Sequence, residues 1–152
     1  MTAVLDLAQV QVPATAMEVD ASDETDRRWM TESGVYISMS VNADDPAAPG
    51  SRQPDRVVAG MLGRYKYHRA ANVDALVTVE VPGASSACLG LATIESRSGE
   101  SLGLLVLGAG DGTMPVVTVQ VTWPAELGET LQDDVTSIVE SFRLNSLRGS
   151  PS

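Results

Sequence analysis

The sequence predicts an α+β domain in which an antiparallel β-sheet meander is covered by two main helices. Several short segments alternate apolar and polar residues with a period of two, the sign of half-buried strands. Those between residues 75 and 121 are separated by Gly- and Pro-bearing turns, which reads as a meander. Two other stretches, 55–69 and 131–142, repeat apolar residues at helical spacing. With 152 residues, 43% of them hydrophobic, the chain is long enough for one domain with a substantial core, expected over residues 1–144.

Residues 4–12 alternate partially and read as a strand ending at Pro13, either the first strand or an edge. The segment from Ala16 to Asp26 is acidic and barely periodic, as a solvated connection would be; its carboxylates do not fall in EF-hand register, which needs a central Gly and a closing Glu. Arg28-Trp29-Met30 leads into the clearest early strand, where Val35, Ile37, Met39 and Val41 share one face and Tyr36, Ser38 and Ser40 the other. Asn42 to Gln53 collects Asp, Pro and Gly as an exposed loop does, and Pro54 suits a first helical position, where its missing N–H is not needed. From Asp55 to Arg69, Val57, Val58, Met61, Leu62 and Tyr65 form one helical stripe, while Gly60 and Gly63 weaken the helix unless a neighbour packs against them.

Ala75, Val77, Val79 and Val81 then alternate up to a Pro82-Gly83 turn, and a further strand runs from about Ala87 to Glu95. The polar turn Arg97-Ser98-Gly99-Glu100 leads into Leu102–Leu107, whose continuous apolar character predicts a central strand covered on both faces. Gly108 to Gly112 separates it from the strand Val116–Val121, and Trp123-Pro124 ends the meander. The last helix carries Leu131, Val135, Ile138, Val139 and Phe142 on one face, with Thr130 and Asp133 resembling a capping box. Residues 145–152 show no packing pattern and are expected to be a disordered tail.

The meander from Gly99 onward, closed by Ser137-Ile138-Val139-Glu140-Ser141-Phe142-Arg143 at the end of a final helix, resembles the PsbP-like fold. A looser architectural similarity covers Val35 to His68. The resemblance implies a domain that binds other proteins and performs no chemistry, as in photosystem accessory proteins, a Ran-binding nuclear import factor, DcrB-type bacterial lipoproteins and secretion adaptors. It brings no family-wide catalytic residue to carry over. The chain departs from the lipoprotein members in showing no signal peptide or lipobox, and from the plant members in showing no transit peptide.

A net charge of −10 and a pI near 4.3 repel phosphate backbones and anionic head groups, so neither nucleic acid nor a membrane is expected as a partner. The longest apolar runs fall far short of the ~20 residues of a membrane-spanning helix. The lone Cys88 excludes an intramolecular disulfide, and Met1-Thr2-Ala3-Val4-Leu5-Asp6 carries no secretory signature, so the cytoplasm is the expected compartment. Cys88, between Ala87 and Leu89, reads as a small buried residue; His68, near a helix C-terminus, is favourable there for dipole reasons alone. Were the fold to join them, they would form a thiolate nucleophile. The Gly108–Gly112 run lacks the Lys-Ser/Thr ending of a phosphate loop and reads as a hairpin turn, and Ser85-Ser86 reads as turn chemistry.

No cofactor, metal or catalytic residue is therefore expected. One local reversal of the acidic surface remains, on the helix from Pro54 to Arg69. Arg56, Arg64, Tyr65, Lys66, Tyr67 and Arg69, with Arg52 just ahead, combine the residue types that interface hot spots favour. The reading is a non-enzymatic protein-binding or adaptor module that recognises its partner through the sheet or this helix. The partner is another protein, through an acidic segment, or a second copy of the chain as a homodimer. The alternative is a small-ligand carrier or an unrecognised hydrolase, with a pocket between sheet and helices that uses His68 or Cys88.

Overall fold

The computed structural model of the chain describes residues 2–5, 8–13, 15–19, 26–32, 34–42, 52–68, 72–73, 76–95, 98–112 and 115–144; for 2–5, 26, 65–68, 72–73 and 127–134 it describes the backbone alone. In chain order the elements are β1 (Thr2–Leu5), β2 (Ala8–Gln11), β3 (Met17–Glu18), β4 (Asp26–Met30), β5 (Tyr36–Val41), α1 (Pro54–His68), β6 (Asn72–Val73) and β7 (Val77–Thr78). There follow β8 (Ser86–Glu95), β9 (Ser101–Gly110), β10 (Val117–Pro124), a 3-10 turn (Ala125–Leu127), α2 (Gly128–Ser141) and β11 (Arg143–Leu144). They build an antiparallel sheet in the order β3-β4-β5-β10-β9-β8-β6, with β7 also on β8, and a second small sheet β1-β2-β11. The α+β class and the antiparallel meander with two helices are as the sequence predicts.

The expected central strand is β9, every residue of which from Gly103 to Gly110 is buried. Its continuous apolar run serves two cores. Leu104 and Val106 meet Val58 and Leu62 of α1, while Leu105, Leu107 and Ala109 face a larger core on the other side of the sheet. That larger core joins Trp29, Ile37, Met39, Val119 and Val121 to Val10 of the small sheet, to Ile138 of α2 and to Phe142 just after it.

Where the sequence reading and the structure part, a residue's long-range neighbours decide. Residues 4–12 form two strands, β1 and β2, paired from Leu5 opposite Ala8 to Thr2 opposite Gln11. Alternation does not register a reversal when both arms keep the same composition. The strand expected over 75–81 shrinks to β7, although Val79 N–H still donates to the Ala87 carbonyl (3.1 Å) and Val81 is buried. β3 forms inside the connection expected over 16–26 and β4 begins at its last residue, the two held at the sheet edge by the ion pair of Glu18 with Arg27 (2.8 Å), whose guanidinium stacks over the Trp29 ring at 5.1 Å. That hydrogen bond holds the Glu18 carboxyl below its usual range.

β9 runs on through Gly108 and Gly110 instead of ending before them. A Cβ at Gly108 would lie 2.8 Å from Val58 Cγ2, so the glycine is what admits the helix to the sheet; the turn itself falls at Gly112, with φ of +86°. The same device recurs at Gly103, whose missing side chain is replaced by the Trp123 indole. α2 starts at Gly128, which puts Thr130 inside the first turn and not at the cap. After it the chain adds β11 to β2, with Arg143 opposite Gln9. The expected tail at 145–152 and the acidic segment 20–25 lie outside the described residues.

Candidate functional site

α1 begins at Pro54 with Asp55 in its first turn, where an acid complements the positive helix end. Val57, Val58 and Leu62 are buried, so one stripe fixes the helix on β8 and β9. Met61 is only partly buried. Arg56 and Arg64 are exposed on the outer side. Eight residues apart, they stand about 12 Å from each other along the helix axis. The backbone continues helical through Tyr65, Lys66, Tyr67 and His68, whose side chains lie outside the described set, and Arg69 lies outside the described residues. Of the six residues expected to form a binding face, the structure thus places two at the surface. Gly60 and Gly63 have nothing within 4 Å of where a Cβ would stand, so no close-packed neighbour justifies them.

Cys88 is buried in β8 beneath α1, packed with Val58 and Leu62. Burial pushes its thiol up, and the nearby Asp55 carboxylate raises it further, so the thiolate a nucleophile needs is disfavoured. Asp55 belongs to the first turn of α1, whereas His68 ends that helix, thirteen residues and about 20 Å further along its axis. Cys88 itself packs against Val58 and Leu62, and the helix runs on six residues, about 9 Å along its axis, from Leu62 to His68. Among the described residues no group of three His, Cys, Asp or Glu side chains could hold a metal ion.

Two adjoining hollows lie on the far side of the sheet from α1, and the sequence reading missed both. The larger, about 690 Å³, lies between the Val79–Ala87 segment and Glu140 in the last turn of α2. The smaller, about 320 Å³, shares Pro82 and Glu140 with it and adds Gln9, Gln11, Phe142 and Arg143. Backbone bonds tie the Val79–Ala87 segment to β11 and β9 and close its own turn. Leu144 N–H donates to the Pro82 carbonyl (2.9 Å), Ala84 N–H to the Val81 carbonyl (3.0 Å) and Ser85 N–H to the Gly110 carbonyl (3.0 Å). Gly83, with φ of +83°, brings its backbone so close to Leu144 that no side chain would fit. Glu80 and Glu140 are sixty residues apart, so no local pattern reveals that they line one hollow. The one available signal was an acid in the last turn of a helix that has no basic residue there, the reverse of what the helix dipole favours.

A third surface is the outer edge of the large sheet. Met17 is 72% exposed and pairs across β3 and β4 with Met30, which is 44% exposed. No helix among the described residues is long and apolar enough to cross a membrane.

No sequence profile of a known protein family matches the chain, and no curated protein matches it by sequence. Solved structures do. Cyanobacterial PsbP from Synechocystis superposes with a TM-score of 0.61 at 11% identity, covering 92% of this chain and 88% of that one. LpqN of Mycobacterium tuberculosis, described as involved in cell envelope biogenesis, gives 0.57 at 13% identity over 91% and 83% of the two chains. The Ran-binding protein Mog1p of Saccharomyces cerevisiae gives 0.53 at 9% identity over 90% and 89%. At such identities the likeness concerns architecture alone. An antiparallel sheet with a helix on each face, matched over nine-tenths of its length by these structures, gives this chain the PsbP-like fold.

Proposed function

We propose that this chain is a non-enzymatic protein-binding module, acting in the cytoplasm as one domain over residues 1–144, with the outer face of α1 as its docking surface. The observation that carries the reading is the exposure of Arg56 and Arg64 on a helix anchored by its opposite stripe, within a chain of net charge −10. Such a local reversal of charge attracts an acidic segment of another protein, or the acidic surface of a second copy of this chain, and Arg is a residue type on which interfaces concentrate their binding energy. The buried Cys88, its thiol raised by that burial, supports the absence of thiol chemistry. Similarity in fold to a Ran-binding protein agrees with a binding role.

The test is capture from the native host's extract by the tagged chain and by its Arg56→Glu, Arg64→Glu variant. Both positions are exposed, so folding stability should change by no more than about 0.5 kcal/mol. A stoichiometric protein partner that the variant loses supports the reading. Capture that is unaltered by the reversal removes α1 as the docking face, and a retained metabolite without a protein favours the pocket-based carrier.

A further inference from the structure

We propose that the double hollow at the C-terminal end of α2 binds an extended, basic segment of a partner polypeptide, holding a Lys or Arg side chain between Glu80 and Glu140. This rests on the reading of the chain as a protein-binding module and adds a second surface, on the opposite side of the large sheet from α1. The larger hollow, about 690 Å³, falls within the range of ligand pockets. Its lining is apolar at Val79, Val81, Pro82 and Ala87, and among the described residues its charged groups are the two carboxylates. They gather at the negative end of the α2 dipole, in a last turn without a basic residue. Three sources of negative potential, the two side chains, the helix end and the net charge of −10, therefore converge on one concave site, and each favours a cation there.

The shape selects the kind of cation. The smaller lobe continues past Pro82 and Glu140 to Arg143, whose Nε and Nη2 donate to the Gln9 side-chain oxygen and whose Nη1 can meet a carbonyl or carboxylate of a chain whose basic side chain sits in the larger lobe. A free polyamine offers nothing to Arg143. A second copy presents its exposed Arg56 and Arg64 on a helix and not on an extended segment, and nucleic acid or an anionic lipid surface would meet the carboxylates head-on. The wall is already held in place by the bonds from Leu144 to Pro82 and from Ser85 to Gly110, so little ordering cost attends binding.

The probe is a capped hexapeptide of alternating valine and lysine, titrated into the full chain while backbone amide NMR shifts are followed. Saturable shifts grouped on residues 79–87 and 140–143 are expected, with spermidine and the lysine-acetylated peptide binding much more weakly. Glu80→Gln with Glu140→Gln should weaken the peptide about tenfold, while Glu32→Gln with Glu126→Gln, an equal loss of charge at exposed positions elsewhere, should change it less than about twofold. Equal weakening in both variants, shifts spread over the acidic surface, or undiminished binding of the acetylated peptide or of spermidine overturns the proposal. The Arg56→Glu, Arg64→Glu variant separates the two ideas. If it loses its partner in extract yet binds the peptide normally, both surfaces stand; if partner capture persists while the peptide shows no grouped shifts, the groove fails and protein binding survives.

Discussion

Replacing Gly90 by alanine tests how α1 is seated. A Cβ there would run into Leu62 Cδ1 and lie 3.0 Å from Leu76 Cδ2 and 3.1 Å from Val58 Cγ1. Leu76 is 37% exposed and can swing aside, whereas Val58 and Leu62 are buried against Leu104 and Val106 and have nowhere to go. Forcing a methyl into such a core costs about 1–3 kcal/mol. Removing a glycine from a strand interior returns roughly 0.5–1 kcal/mol through reduced backbone entropy. The net expectation is a loss of about 0.5–2 kcal/mol, read as a lower urea midpoint at unchanged m-value. Leu62→Ala alone should cost about 2–5 kcal/mol by leaving a cavity. In the double variant the new methyl fills part of that cavity, so the loss should fall short of the sum by about 1 kcal/mol. Additivity to within about 0.3–0.5 kcal/mol, or a neutral Gly90→Ala, would show that Leu62 does not rest on this glycine and that α1 packs elsewhere.

Two further outcomes follow from the cores. Phe142, fully buried at the end of α2, closes the larger core with Ile138 and Val10, and Phe142→Ala should cost about 3–5 kcal/mol in chemical denaturation; a loss below about 1 kcal/mol would mean that its face is misassigned. Cys88, buried and with its thiol raised by that burial, should react with a disulfide reagent only as fast as the chain opens, and the rate should climb with urea; immediate stoichiometric reaction of the native chain at neutral pH would contradict this placement.

The functional readings differ in how far sequence supports them. The basic helix is legible locally in part, because Arg56 falls opposite the stripe of Val57, Val58 and Leu62, whereas Arg64, seven residues after Val57, lies on the flank of that stripe and only the structure shows it exposed. The acidic groove is not, since Glu80 sits in an irregular segment and Glu140 on a helix from the other end of the chain.

By itself the sequence determined the elements and their sides. Alternation at Val35, Ile37 and Met39 fixed which face of β5 is buried, the unbroken apolar run of residues 104–107 marked the strand covered twice, and the spacing of Ile138 and Phe142 fixed the inner face of α2. Each follows from a repeat of 2 or 3.6 residues, which short windows carry in full. Only the tertiary structure decided that β2 leaves the large sheet to pair with β1 and β11, that β10 lies between β5 and β9, and that Gly90 and Gly108 are flat so that α1 can descend onto them. These choices depend on what arrives from distant parts of the chain, and the free energy of a contact between residues 10 and 142 leaves no period in either segment.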